Sequence, residues 1–101
     1  MYRVDFSLID WESPMPGIRQ KVMQKGSKKI RFVEFSKQLK PHWCEKGHYG
    51  YIVEGKFEIE FADGKRVFEP GDGVFIPEGP EHKHRGRVLT ETVRLVFVED
   101  V

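Results

Sequence analysis

From Lys29 onward the chain is patterned for strands. "KIRFVEFS" sets Ile30, Phe32 and Glu34 on one face and Arg31, Val33 and Phe35 on the other, because side chains two apart in a strand point the same way. Phe57, Ile59 and Phe61 alternate with Glu58 and Glu60, the pattern of a half-buried strand. In "VLTETVRLVFVED", Val93, Leu95 and Phe97 share one face, and Thr92, Arg94, Val96 and Val98 the other. Apolar residues on both faces predict a central strand or one that meets a partner subunit. Turn residues punctuate these runs. Asp63-Gly64 predicts a two-residue type I′ hairpin, since glycine accepts positive φ. Pro70-Gly71 fits a type II turn, and Pro77 with Gly79 fits a type I turn. The first 28 residues mix short apolar pieces with "ESPMPG", Glu12 to Gly17, which reads as a turn or loop. No segment has the 3.6-residue period of an amphipathic helix.

Many short strands with Gly/Pro turns predict an all-β sandwich or barrel, and closure is favoured because it limits exposed sheet edges. A length of 101 residues suits one domain, residues 1–101. Composition is that of a globular chain, 39% hydrophobic and 33% charged. Seventeen basic residues against 16 acidic give a formal charge of +1, too balanced to argue for nucleic acid or an anionic membrane as partner. One cysteine excludes an intramolecular disulfide framework. No apolar run approaches the roughly 18 residues of a membrane span, and "MYRVDFSLID" lacks a signal-peptide core, so a cytoplasmic location is expected.

The candidate chemistry is concentrated. The four histidines form two clusters, His42 with His48 and His82 with His84, and Cys44 joins the first. Strand alternation projects His42 and Cys44 together, and a short bend through Gly47 returns His48 to that side. If the two segments are neighbours, His42, Cys44, His48 and His82 close a four-ligand site. Imidazole and thiolate suit late first-row divalent metals. The plainer alternatives are surface histidines, a buried cysteine packing as a small hydrophobe, and "HKHRGR" as a solvated basic loop. "KGSKK" reads as such a loop. Residue chemistry alone leaves both readings open.

The spacing of these residues resembles the cupin superfamily. The first cupin motif, G-x5-H-x-H-x3-E-x6-G, is matched by His42, Cys44, His48 and Gly55, within about residues 36–55. The second, G-x5-P-x-G-x2-H-x3-N, is matched by Gly71, Pro77, Gly79 and His82, within about residues 71–86. Ser36 and Gly86 replace the first Gly and last Asn; Cys44 replaces the second His and His48 the Glu. Each of the latter two swaps keeps a competent ligand. The resemblance implies a cupin-type double-stranded β-helix, a jelly-roll barrel with a metal site of His42, Cys44, His48 and His82 near one mouth. The softer donors favour zinc, nickel or iron, with manganese also admissible. A homodimer is implied as well, for which the N-terminal segment and the two-faced final strand are the candidate surfaces.

Fold does not fix function here. The first expectation is a metal-dependent enzyme of isomerase, lyase or oxygenase type acting on a small molecule. In it His84 serves as general acid/base or orients a ligand. "GYIVEG" is similar to the phrase in small cupins that process unsaturated sugar acids, which points to a sugar or sugar acid, with Arg94 meeting its carboxylate if that face turns inward. The alternatives are a non-catalytic ligand-binding or sensing module and a structural cupin without metal.

Overall fold

The computed structural model describes residues 2–101. A 3₁₀ turn at Phe6–Leu8 precedes nine strands: β1 (Glu12–Met15), β2 (Ile18–Lys25), β3 (Lys28–Ser36), β4 (His48–Glu54), β5 (Phe57–Phe61), β6 (Gly64–Phe68), β7 (Gly73–Ile76), β8 (Arg85–Val88) and β9 (Thr92–Asp100). A second 3₁₀ turn, Pro80–His82, lies between β7 and β8. Among the described residues no helix is long and apolar enough to cross a membrane. The strands form a six-stranded sheet, β1-β2-β3-β9-β4-β7, and a three-stranded sheet, β6-β5-β8, antiparallel throughout. This is the expected all-β jelly-roll barrel of two facing sheets.

The alternation read from the sequence decides which side chains meet between the sheets. Val33, Ile52, Val74, Val93, Leu95 and Phe97 come from the large sheet, and Phe57, Ile59 and Val88 from the small one, all buried. Each such side chain contributes roughly 1.5–3 kcal/mol on burial. Phe35 stacks on Phe57 across the gap, ring centroids 5.1 Å apart. β9 is central, flanked by β3 and β4. Its edges are therefore spent, and only its outer face is free for a partner subunit. On that face Tyr49, Tyr51, Val53, Phe75 and Val98 are exposed.

The turns are realised unevenly. Asp72 N–H donates to the Glu69 carbonyl at 2.9 Å and Gly71 has φ +99°, the type II turn expected of Pro70-Gly71. In the β5–β6 hairpin Phe61 pairs with Gly64, so the turn residues are Ala62 and Asp63, one position earlier than expected. Neither has positive φ, which rules out type I′. The N-terminal region is more ordered than its composition suggests. β1 runs through "ESPM", and Pro14 is tolerated because β1 is a sheet edge. β2 carries charge outward: Arg19 and Lys21 lie over the Trp11 ring, 4.1 and 4.9 Å from its centroid. Trp11 and Phe6 pack on Phe32, so the N-terminal segment covers its own sheet.

Arg94 lies on the outer face, its Nε 2.8 Å from Glu34 and 3.5 Å from Glu54. Its face does not turn toward the barrel interior, and the carboxylate-binding role conditional on that orientation falls away.

Candidate metal centre

The long connection from β3 to β4 passes beside the start of β8 and touches it at one point. Cys44 N–H donates to the His84 carbonyl at 2.8 Å, and His84 N–H donates to the Cys44 carbonyl at 2.9 Å. Residues that exchange both bonds in an antiparallel pair carry their side chains on the same side. This single bridge extends the small sheet and sets the Cys44 thiol next to the His84 ring. Gly47 lets the connection press onto the β7–β8 turn. A Cβ there would lie 2.9 Å from the Glu78 nitrogen and 3.0 Å from the Ile76 carbonyl oxygen. Gly79 N–H donates to the Glu45 carbonyl at 3.0 Å, so the Pro77–Gly79 turn is tied across to that connection.

His48 opens β4 opposite Ile76 of β7, on the same face as buried Ile52. Its ring stacks on Phe97 at 4.8 Å and meets the His84 ring edge-on at 5.3 Å. The ligand atoms of Cys44, His48 and His84 thereby lie within 4.8 Å of one another. Donors around a tetrahedral zinc are roughly 3.4–3.8 Å apart, given bond lengths of about 2.0–2.3 Å. Small side-chain movements close that difference.

The protonation chemistry fits a cation. His84 Nδ1 lies 3.1 Å from the His82 carbonyl oxygen, which can only accept. Nδ1 therefore carries a proton, which in the neutral ring leaves the Nε2 lone pair free, with the ring held in orientation. Burial pushes His48 down to about 4, and the adjacent His84 adds to the shift, so His48 is neutral near pH 7. His48 Nδ1 is buried with no hydrogen-bond partner. Such an orphan costs about 1–3 kcal/mol, and a metal ion is one way to relieve it. The Lys46 N–H lies 3.4 Å from Cys44 Sγ and supports negative charge on it.

Of the residues expected from the sequence, the structure brings Cys44 and His48 together and adds His84. His42 lines the same cavity but falls outside that group of ligand atoms, as does His82. His42 is exposed at the cavity mouth, its Nδ1 3.4 Å from the Lys40 carbonyl. The His82 side chain, 42% exposed, lies 3.7 Å from the Glu81 carboxylate. His82 and His84 stand two apart, but His82 ends the 3₁₀ turn, so strand alternation does not place both rings on one face. The bridge at Cys44 selects His84, a long-range contact with no local signature.

Cys44, His48 and His84 border a cavity of about 230 Å³ between the sheets. Sequence reasoning did not single out the charged residues that line it, Arg31, Lys40 and Arg85. Arg31 was legible as an inward position of β3, but nothing marked that face as a cavity wall.

The family model for the cupin domain matches residues 31–99. No curated protein sequence matches the chain. Among solved structures, KdgF from Halomonas sp. is 28% identical, with TM-score 0.71, covering 90% of this chain and 86% of that one. An RmlC-like cupin from Shewanella frigidimarina NCIMB 400 is 18% identical, with TM-score 0.76 and coverage of 99% and 90%. The polyketide cyclase RemF from Streptomyces resistomycificus is 23% identical, with TM-score 0.78 and coverage of 99% and 79%. The last two likenesses speak to the fold. With the family match spanning both motif regions and the jelly-roll barrel in place around them, the chain belongs to the cupin domain family.

Proposed function

We propose that this cupin is a metal-dependent enzyme acting on a small molecule, with Cys44, His48 and His84 holding a divalent transition metal. The observation that carries this reading is the convergence of three ligand atoms on one cavity, one of the rings having a buried, unpartnered nitrogen. Thiolate and imidazole donors favour zinc, nickel or iron over manganese. Three protein donors would leave such an ion room for water or substrate, as catalytic rather than structural sites do. When bound, such an ion supplies a Lewis acid for a substrate oxygen or an activated water.

The chain's own residues do the rest. The His82 carbonyl fixes the tautomer and angle of His84. The Lys46 amide stabilises the Cys44 thiolate. The stacked Phe97 ring and the apolar walls exclude water. With His84 engaged as a ligand, the general acid/base role expected of it passes to His42, the titratable ring at the mouth. The phrase behind the sugar-acid expectation, "GYIVEG", lies mainly along β4, and none of residues 49–56 lines the cavity. That phrase supports the strand more than the substrate.

The test is metal content by mass spectrometry after purification and after reconstitution with zinc, nickel or iron. The wild type is expected to hold about one ion per chain. Cys44→Ser and His84→Ala are each expected to weaken affinity by about two orders of magnitude. A wild type that holds no stoichiometric metal after reconstitution would remove the metal centre, leaving the cavity as a binding module.

A further inference from the structure

The lining of the cavity limits what can occupy it. Phe35, Phe57, Ile59, Val74, Leu95 and Phe97 form its walls. No Ser, Thr, Asn, Gln or Tyr lines it among the described residues, and no Asp or Glu. A sugar brings several hydroxyls, each of which loses water on entry, and outside the histidines, Cys44 and the three basic side chains the lining offers them only hydrocarbon. A hydrocarbon body loses nothing there. The volume, about 230 Å³, lies below the roughly 300–1,000 Å³ of drug-sized sites, so the body is small.

The charge of the lining has one sign. Its charged side chains are Arg31, Lys40 and Arg85. Two of them are already answered from outside the cavity. Glu99 and Gln20 hold the Arg31 guanidinium, with Arg31 Nε to Glu99 at 2.7 Å and Nη1 to Gln20 at 2.8 Å. Glu60 holds Arg85 at 2.7 Å. Lys40 is exposed beside the mouth, and no carboxylate pairs with it among the described residues. One unanswered cation together with an open metal position asks for one anionic head.

We infer that the ligand of this cavity is a small carboxylate with an aromatic or branched hydrocarbon body, and not a sugar or sugar acid. This rests on the reading of the cavity as the functional site, and it keeps only the acid half of the sugar-acid expectation. Lys40 attracts the head, and the walls discriminate the body.

Isothermal titration of the zinc-loaded protein with phenylacetate, 2-phenylethanol and galacturonate tests it, with zinc content measured on the same samples. Phenylacetate is expected to bind at least tenfold more tightly than either of the others. Lys40→Ala, at an exposed position, is expected to lower phenylacetate affinity about fivefold without changing zinc content. Galacturonate binding as tightly as phenylacetate would overturn the hydrocarbon body. Equal binding of 2-phenylethanol would overturn the anionic head, and binding of none of the probes would overturn both. If zinc loads and the preference is missing, this inference fails while the metal centre stands. If zinc does not load, the metal centre fails; the same preference, weaker, is then expected in the zinc-free protein, and its absence there would overturn the inference as well.

Discussion

The ring of Phe97 has two polar neighbours, and the fold treats them in opposite ways. The Arg31 guanidinium lies 5.2 Å from the ring centroid; His48 stacks on the ring at 4.8 Å. Arg31 is saturated. Glu99 takes two of its nitrogens, Gln20 a third, and the Glu99 side chain is only 8% exposed. His48 keeps a buried nitrogen with no partner. Both groups belong to the inner face of one sheet, so neither burial nor strand position separates them. Satisfaction does. A buried guanidinium with every nitrogen answered is complete as it stands, whereas a buried imidazole with an unpartnered nitrogen, its ring next to a thiol and a second imidazole, leaves room for a cation.

Breaking the saturated side has the largest expected effect. Glu99→Ala strands the Arg31 charge against an aromatic wall, and removing one partner of such a buried pair costs about 3–5 kcal/mol. Urea denaturation of the metal-free protein is expected to show that loss. The double variant Arg31→Met with Glu99→Leu is expected to recover most of it, since an apolar pair has no charge left to satisfy. A loss below about 1 kcal/mol in Glu99→Ala would mean that Arg31 finds water, and that the two neighbours of Phe97 do not differ as described.

The unsaturated side responds to pH. His48 in the folded protein titrates at about 4, against an ordinary value of 6.5 for the unfolded chain. Between those values the unfolded state binds more protons, so stability falls as pH falls. The contribution is full above about 6.5 and gone below about 4, a span worth about 3 kcal/mol. Denaturation of the metal-free protein across this window is expected to give that slope, and His48→Gln to flatten it. A slope unchanged in His48→Gln would assign the effect elsewhere.

What the sequence disclosed follows the range of the interaction. The Pro70-Gly71 turn was legible because four consecutive residues determine it. The central place of β9 was legible because both of its faces are apolar. β1 and β2 were not: Pro14 and Pro16 suggested a loop, and the charges of β2 are accommodated by Trp11 folding back over Arg19 and Lys21 and by Glu34 pairing with Arg19. At the site, Cys44 and His48 were singled out by type and spacing. Preferring His84 over His82 required the bridge between Cys44 and His84, which joins residues 40 positions apart and obeys no local period. The apolar walls of the cavity are likewise drawn from four strands, β3, β5, β7 and β9, whose register only the closed barrel sets.

That preference yields the smallest expected effect and the sharpest contrast. Motif spacing names His82, and geometry names His84. The part of residue 82 that serves the site is its backbone carbonyl, which accepts from His84 Nδ1 at 3.1 Å. Its imidazole lies apart, 3.7 Å from the Glu81 carboxylate and partly in solvent, where such a pair is worth at most about 1 kcal/mol. His82→Ala keeps the carbonyl and removes only the ring. Metal affinity is expected to change less than threefold in His82→Ala, and stability by less than about 0.5 kcal/mol. Competition titration against a chelating dye measures the first, and urea denaturation the second. A hundredfold loss of affinity in His82→Ala, with His84→Ala near wild type, would restore the motif register and make the His84 ring the bystander.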